Sequence, residues 1–191
     1  MGKGRLEAFS DGVFAVIITI MVLELKVPQG SDLAALRPVL PVFLSYVLSF
    51  VFVGIYWNNH HHMLHAVHRV NGFVLWANLH LLFWLSLVPF ITAWMGEHPR
   101  LAVPVALYGL VLLMAGTAYY ILERGLIALQ GKDSALALAV GKDFKGILSV
   151  AIYTAAVALA FVNTWFSIAL YISVAVMWFI PDRRIEKAIV E

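Results

Sequence analysis

The chain contains no cysteine, so neither a disulfide nor a thiolate metal site contributes to its structure or chemistry. Charged residues are also scarce, at 13% of 191 residues, about half the share of a typical soluble domain. No acidic residue occurs between Asp32 and Glu97. The basic residues are dispersed rather than clustered, and the formal net charge is only +2, so no nucleic-acid partner is expected.

Hydrophobic residues dominate instead, at 62% of the chain, with a mean hydropathy of +0.89. This composition predicts an all-α, polytopic membrane protein whose lipid-embedded segments use up nearly the whole chain. We therefore expect one transmembrane domain, residues 1–191, without a separate soluble domain. The longest connection, 123–145, contains the sequence SALALAV, a candidate for a short interfacial helix. Six apolar segments are predicted at about 9–27, 37–59, 70–94, 101–122, 146–162 and 164–180.

The distribution of lysine and arginine between the segments predicts the orientation of the chain. Cytoplasmic flanks of membrane proteins carry an excess of these residues. If the six segments cross a membrane in turn, 10 basic residues lie on one side and 3 on the other. Both termini are therefore predicted to be cytoplasmic, in a multi-pass protein of the cell membrane. The larger group is Lys3, Arg5, Arg69, Arg124, Lys132, Lys142, Lys145, Arg183, Arg184 and Lys187, and the smaller is Lys26, Arg37 and Arg100.

The first apolar segment carries a stripe that is uncharged over its whole length. Val16, Thr19, Ile20 and Leu23 are spaced i, i+3, i+4 and i+7, which places them on one face of a helix. Asp11 projects about 140° away from that stripe at ~100° per residue. The segment thus presents an aliphatic face with a single hydroxyl, and places its acid elsewhere.

Two residues of this segment have alternative interpretations. Thr19 could donate to the backbone carbonyl four residues earlier, or could line an ion pathway. Asp11 could be an interfacial carboxylate or a local cap formed with Ser10. Alternatively, it could pair with Arg5 or a histidine inside the helix bundle, where a charge-assisted hydrogen bond is strong.

A histidine cluster follows Trp57 in the sequence WNNHHHMLH. His61 and His65 have the i, i+4 spacing of a helical metal pair, but no acid lies nearby in the sequence and no third ligand is evident. A catalytic metal site is therefore disfavoured, and packing and hydrogen bonding at the membrane interface are favoured. Asn78 is expected to form an interhelical hydrogen bond within the membrane.

Three blocks of sequence resemble the transmembrane protein 175 family, which comprises potassium channels of lysosomes and six-helix prokaryotic relatives. The blocks cover about 5–28, 54–80 and 83–96. The later segments match that family only in length and hydropathy. The residues that carry the resemblance are Arg5, Phe9, Ser10, Asp11 and Thr19 in the first segment, Trp57, His60 and His61 in the second, and Asn78 in the third.

The resemblance implies a homotetramer assembled around the first helix, with potassium as the permeant ion. No cofactor or metal is expected. It also implies that Thr19 lines the ion pathway and favours potassium. Val16, Ile20 and Leu23 would then form hydrophobic constrictions. The resemblance further implies that Arg5, Phe9, Ser10 and Asp11 brace this helix against its neighbours.

Other functions remain as alternatives at this stage. The chain has no TVGYG-like loop, so a channel would have to be lined by side chains of whole helices. A secondary transporter of a small solute or ion is the main alternative, although no inverted repeat or mid-membrane charge is evident. An enzyme is disfavoured because no nucleophile–base pair or complete metal set is present. A membrane protein with a purely structural role is a residual possibility.

Overall fold

Every regular element in the part of the chain that the computed structural model describes, residues 3–141 and 143–179, is helical. A 3-10 turn at Leu33–Leu36 precedes the second helix and is capped by the Asp32 carboxylate, which accepts from the backbone N–H of Ala35. The α-helices in these residues are α1 Lys3–Leu23, α2 Leu40–His65, α3 Gly72–Ser86, α4 Val88–Glu97, α5 Ala102–Gln130, α6 Ala135–Val140, α7 Phe144–Leu159 and α8 Thr164–Phe179.

Four helical stretches of the described residues are long and apolar enough to cross a membrane. They are Lys3–Leu23, Leu40–His65, Gly72–Glu97 (α3 and α4 together) and Ala102–Gln130. Helices α7 and α8 have 16 residues each. At ~1.5 Å per residue they are about 24 Å long, shorter than the ~30 Å hydrocarbon core. Position 180, the predicted end of the last segment, lies outside the described residues.

Several predicted boundaries were wrong, each for a local reason. The first helix begins at Lys3 and ends at Leu23, although 9–27 was predicted. The third segment was predicted as one helix, but α3 ends before Leu87. Pro89 lacks an N–H and its ring conflicts with a regular helix, so the chain restarts as α4. The fourth segment continues eight residues beyond the predicted end at position 122, and stops at Gly131, whose φ is +101°.

The connection between α5 and α7 contains the predicted short helix, here α6. Ser134 caps α6 by accepting from the backbone N–H of Ala137, and Gly141, with φ +52°, follows its last residue. Asp143 then caps α7, since its Oδ1 atom accepts from the Gly146 N–H at 2.9 Å. The four residues 160–163 connect α7 to α8, and the two helices pack as a hairpin.

Helix α5 is the centre of the bundle and packs against α3, α4, α7 and α8. Gly109 allows α8 to approach closely, because the ring of Tyr171 occupies the space where a Cβ atom would lie. The Tyr171 hydroxyl donates to the carbonyl of Val105 at 3.0 Å. Helix α1 lies on the other side of the bundle and packs against α2, α3 and α4.

A buried hydroxyl chain joins α2, α4 and α5. Thr92 Oγ1 donates to Ser49 Oγ at 2.7 Å, and Ser49 Oγ lies 2.9 Å from the hydroxyl of Tyr108. All three side chains are at most 4% exposed. Each hydroxyl therefore finds a partner within the bundle, which an apolar environment requires. This chain of hydroxyls was not predicted from the sequence, because serine, threonine and tyrosine are common in apolar helices.

Candidate ion pathway

Helix α1 has one packed face and one open face. The buried side chains are Leu6, Ser10, Phe14, Ile17 and Met21, which recur every three or four residues. On the opposite side, Val16 is 54% exposed, Ile20 is 41% exposed and Leu23 is 80% exposed. Thr19 is also exposed. The four residues of the predicted stripe thus lie on the face of α1 that none of the helices within residues 3–141 and 143–179 covers.

The Thr19 hydroxyl is bonded within its own helix. Its Oγ1 atom donates to the carbonyl oxygens of Ala15 and Val16, each at 3.0 Å. This is the local hydrogen bond weighed in the sequence analysis. A hydroxyl has two lone pairs in addition to its single proton, so the oxygen retains acceptor capacity toward the open face.

Ser10, His60 and Asn78 meet in a buried polar cluster that joins α1, α2 and α3. The Asn78 Nδ2 atom donates to Ser10 Oγ at 3.0 Å, and the Asn78 Oδ1 atom lies 2.7 Å from His60 Nε2. Ser10 itself donates to the Leu6 carbonyl at 2.8 Å. All three side chains are at most 1% exposed. Three residues from three separate helices therefore form one site.

The hydrogen bond to Asn78 determines which ring nitrogen of His60 carries a proton. The Asn78 oxygen accepts, so His60 Nε2 must carry the proton. The imidazole ring also packs against Phe14, with centroids 5.5 Å apart. The cluster consequently sets the rotation of α1: Ser10 and Phe14 point to α2 and α3, and the stripe points away.

Asp11 has a different partner from either of those predicted. Its Oδ1 atom accepts from the indole Nε1 of Trp57 at 3.0 Å, and the side chain is exposed rather than held inside the bundle. The interpretation in which Asp11 pairs with Arg5 or a histidine inside the bundle was therefore wrong, and its exposure agrees with the alternative of an interfacial carboxylate. The indole N–H of Trp57 can only donate, and a carboxylate is a good acceptor for it. Arg5 and Phe9, which belong to the same motif, are both exposed.

Two further histidines, His61 and His65, stack along α2. The ring of His61 lies between those of Trp57 and His65, with centroid distances of 6.0 and 6.1 Å and interplanar angles of 29° and 19°. Among residues 3–141 and 143–179, no three His, Cys, Asp or Glu side chains are grouped so that they could hold a metal ion. Trp57, His61 and His65 thus form a continuous row of stacked rings along α2, which begins at the contact of Trp57 with Asp11.

Lys3 anchors the beginning of α1 to the end of α2. Its Nζ atom donates to the carbonyl oxygens of Leu64 and His65, each at 3.3 Å. A cation at the C-terminus of a helix satisfies orphan carbonyls and complements the helix dipole. Glu7 lies 3.8 Å from the same ammonium group.

These features define a class of protein: a helical, multi-pass membrane protein in which a polar cluster presents one apolar helix face outward. Comparison with known proteins then gives the family. Residues 5–89 match the family described as endosomal/lysosomal potassium channel TMEM175. A Chryseobacterium protein named potassium channel HX13_20290 is 54% identical over 191 residues, which is 100% of both chains.

A more distant relative connects the chain to a solved structure. The potassium channel Cha6605_3372 of Chamaesiphon minutus is 32% identical over 188 residues, with 91% of each chain covered. The crystal structure of a lysosomal potassium-selective channel TMEM175 homolog from Chamaesiphon minutus superposes with a TM-score of 0.77. It is 31% identical and covers 94% of this chain and 97% of the other. The present chain belongs to the TMEM175 family.

Proposed function

We propose that the protein is a potassium-selective, or potassium-preferring, cation channel of the cell membrane. It acts as a homotetramer in which four copies of α1 surround the pathway. The observation that carries this proposal is the open face of α1, where Val16, Ile20 and Leu23 are 54%, 41% and 80% exposed. The relatives named above, which are called potassium channels, support the choice of ion.

The geometry of α1 supports a pathway on a symmetry axis. A single helix cannot enclose a pore, but cyclic symmetry brings identical faces together around an axis. In such a ring Val16, Ile20 and Leu23 form stacked apolar constrictions, which gate by losing water. Thr19 supplies a ring of hydroxyl oxygens between them, and these replace part of the hydration of a cation. This arrangement needs no carbonyl-lined filter loop.

The packed face of α1 supports the same assignment. The Ser10–Asn78–His60 cluster and the contact of Trp57 with Asp11 hold α1 against its own subunit. We assign Arg5, Phe9, Ser10, Asp11, Trp57, His60, His61 and Asn78 a structural role in supporting α1, without direct contact to the ion. No cofactor, metal or chemical reaction is part of the proposal.

The proposed topology has six membrane crossings with both termini in the cytoplasm. Helices α7 and α8 then form the last two crossings, and the excess of lysine and arginine lies on the cytoplasmic side. A single cysteine placed at position 98 of this cysteine-free chain tests the orientation. We expect it to react with an impermeant maleimide from outside the cell. Labelling only after permeabilisation of the membrane would show that the orientation is the opposite of the one proposed.

Ion flux through purified protein in liposomes tests the function. With potassium inside and sodium outside, we expect a negative internal potential that depends on the protein and follows the potassium gradient. Native mass spectrometry of the same sample should give a mass of four chains. A stable monomer that conducts would overturn the tetramer, and liposomes without conductance would overturn the channel.

A secondary transporter of a small solute or ion is the alternative. It predicts flux that saturates and that requires a coupled substrate or ion on one side of the membrane. Single-channel steps in a planar bilayer would exclude it, because a transporter does not produce resolvable unitary currents.

A further inference from the structure

A cavity of about 250 Å³ lies between α2, α5, α7 and α8, on the side of the bundle away from α1. Aromatic rings dominate its wall: Phe52, Tyr56, Tyr119, Tyr120, Tyr153 and Trp178. Gly116 of α5 leaves room in the wall, and Asp143 contributes a carboxylate at the first turn of α7. None of these residues belongs to the proposed ion pathway.

Several polar groups of the wall already have partners. The Tyr119 hydroxyl donates to the carbonyl of Asn59 at 3.3 Å, and the Tyr56 hydroxyl donates to that of Leu112 at 3.5 Å. Trp178 Nε1 donates to Ser149 Oγ at 2.8 Å. The cavity therefore offers a guest mainly ring faces and aliphatic surface.

Asp143 supplies the negative charge that would make this apolar cavity prefer a cationic guest. Its Oδ1 atom caps α7 through the Gly146 N–H, yet a carboxylate has about four lone-pair sites and retains acceptor capacity. The wall thus combines negative charge with the negative faces of aromatic rings.

The chain's own cations already use two of these rings. The guanidinium carbon of Arg124 lies 4.9 Å from the centroid of Tyr120, and Nζ of Lys145 lies 5.7 Å from that of Trp178. Such distances are typical of cation–π contacts. Tyr56, Tyr119 and Tyr153 present further rings to the same cavity.

We propose that this cavity binds a hydrophobic organic ammonium ion, with the cationic group near Asp143 and the apolar body among the tyrosine rings. An ammonium with an aromatic or aliphatic body matches both the charge and the lining. Its size suits a volume near the lower end of small-molecule pockets. The proposal does not depend on the function proposed above, because the cavity shares no residue with α1.

A matched pair of probes tests the charge preference. Phenyltrimethylammonium and its neutral isostere tert-butylbenzene differ only in the atom that carries the charge. Binding of each to the purified full-length protein in detergent is measured by calorimetry, with empty micelles titrated in parallel. We expect saturable binding of the cation at one site per chain, and clearly weaker binding of the isostere. Equal binding of the two probes would overturn the proposal.

Asp143→Asn tests the role of the carboxylate without removing the cap. Asparagine is as good as aspartate at the N-cap of a helix, so α7 should remain folded. We expect the dissociation constant of phenyltrimethylammonium to rise roughly tenfold, as loss of one charge contact implies. Asp133→Asn, at an exposed acid of the same connection, is the matched control and should leave binding unchanged. Equal effects of the two substitutions would contradict the proposed site.

Gly116→Leu tests the location independently of charge. A Cβ atom at Gly116 would lie 3.6 Å from the Tyr56 hydroxyl, an ordinary contact, so the helix accepts a side chain there. The longer leucine side chain fills the cavity, and we expect it to abolish binding of the cation. Gly116→Ala is the milder variant, and we expect it to weaken binding of the cation severalfold. It replaces Gly116→Leu in the test if the leucine variant fails to fold. Unchanged affinity in a folded filled variant would place the ammonium elsewhere, including in the ion pathway.

Discussion

The two faces of α1 are similarly apolar but differ in what covers them. On one face Phe14, Ile17 and Met21 are at most 3% exposed, whereas Val16 and Leu23 on the other are at least 54% exposed. Hydrophobicity therefore does not decide which face packs inside the subunit. The packed face carries Ser10, whose oxygen is bonded to Asn78 of α3, whereas the hydroxyl of Thr19 is bonded inside its own helix. The packed face is thus distinguished from the open face by a hydrogen bond to another helix.

The two faces are expected to differ most in the stability that is lost when a side chain is truncated, and the largest loss is expected for the buried ring of Phe14. Phe14→Ala leaves a cavity beside His60 and should destabilise the folded subunit by about 3 kcal/mol, the low end for such a change. The low end applies because lipid replaces water as the reference for an apolar side chain. Val16→Ala on the open face is the control and should barely change the melting temperature of the purified protein. Equal losses of melting temperature would mean that both faces are packed.

The polar cluster should be nearly as sensitive. Asn78→Ala removes the acceptor of His60 Nε2 and the donor to Ser10, and a buried donor without a partner costs about 2 kcal/mol. Asn58→Ala, at an exposed asparagine two residues before His60 on α2, serves as the control. Thermal unfolding followed by circular dichroism compares the two variants. A stable Asn78→Ala variant would show that the apolar contacts alone orient α1.

Much of this arrangement could be predicted from the sequence, and the exceptions have physical causes. The spacing of Val16, Thr19, Ile20 and Leu23 defines one helix face whatever surrounds it, so that geometry was accessible. The pairing of Asn78 with His60 and Ser10 was not, because it depends on how three separate helices pack. Asp11 had two interpretations, an interfacial carboxylate or a partner of Arg5 or a histidine, and neither identified the indole of Trp57 as its donor, because the polarity of a residue in the sequence does not reveal which donor packs beside it.

The cavity and the hydroxyl chain at Ser49 were missed for a related reason. Single serines, glycines and tyrosines in apolar helices are too common to indicate a site. Their meaning comes from the neighbours that α5, α7 and α8 bring to them. Helix ends were also misplaced where charged residues continue a helix, as Glu123 and Arg124 do in α5.

The open face should respond to polarity in the opposite direction from the packed face. If Ile20 forms a hydrophobic constriction, Ile20→Asn wets it and raises single-channel conductance severalfold without loss of the tetramer. If the stripe is only a packing surface, the buried amide weakens assembly instead. Planar-bilayer recording and native mass spectrometry on one preparation distinguish these results. Ile17→Asn on the packed face is the control and should prevent folding.

A smaller effect is expected at Thr19. Thr19→Val keeps the shape of the side chain and removes the oxygen that a cation would contact. We expect the potassium-to-sodium permeability ratio to fall by about fivefold, which corresponds to roughly one hydrogen bond's worth of free energy. Total conductance should change less than the ratio. An unchanged reversal potential under potassium and sodium gradients would remove Thr19 from the pathway.

The smallest effect is expected at an ion pair remote from both faces. Lys26 donates to the Glu97 carboxylate at 2.5 Å, and this contact raises the pKa of the lysine above its usual 10.5. The pair therefore remains charged at neutral pH, and any contribution of Lys26 to stability is lost only as the pH rises through its raised pKa. Because both groups are exposed, Lys26→Gln should leave the melting temperature unchanged at pH 7. A clear decrease would show that the loop after α1 is structurally important.

The hydrogen bond from Ser10 to Leu6 has a consequence for biosynthesis. Asn78 is synthesised 68 residues after Ser10, so at about 5–20 residues per second it follows roughly 3–14 seconds later. During that interval the serine proton is already satisfied by a carbonyl of its own helix. The hydroxyl of Ser10 therefore does not oppose entry of α1 into the bilayer before α3 has been made.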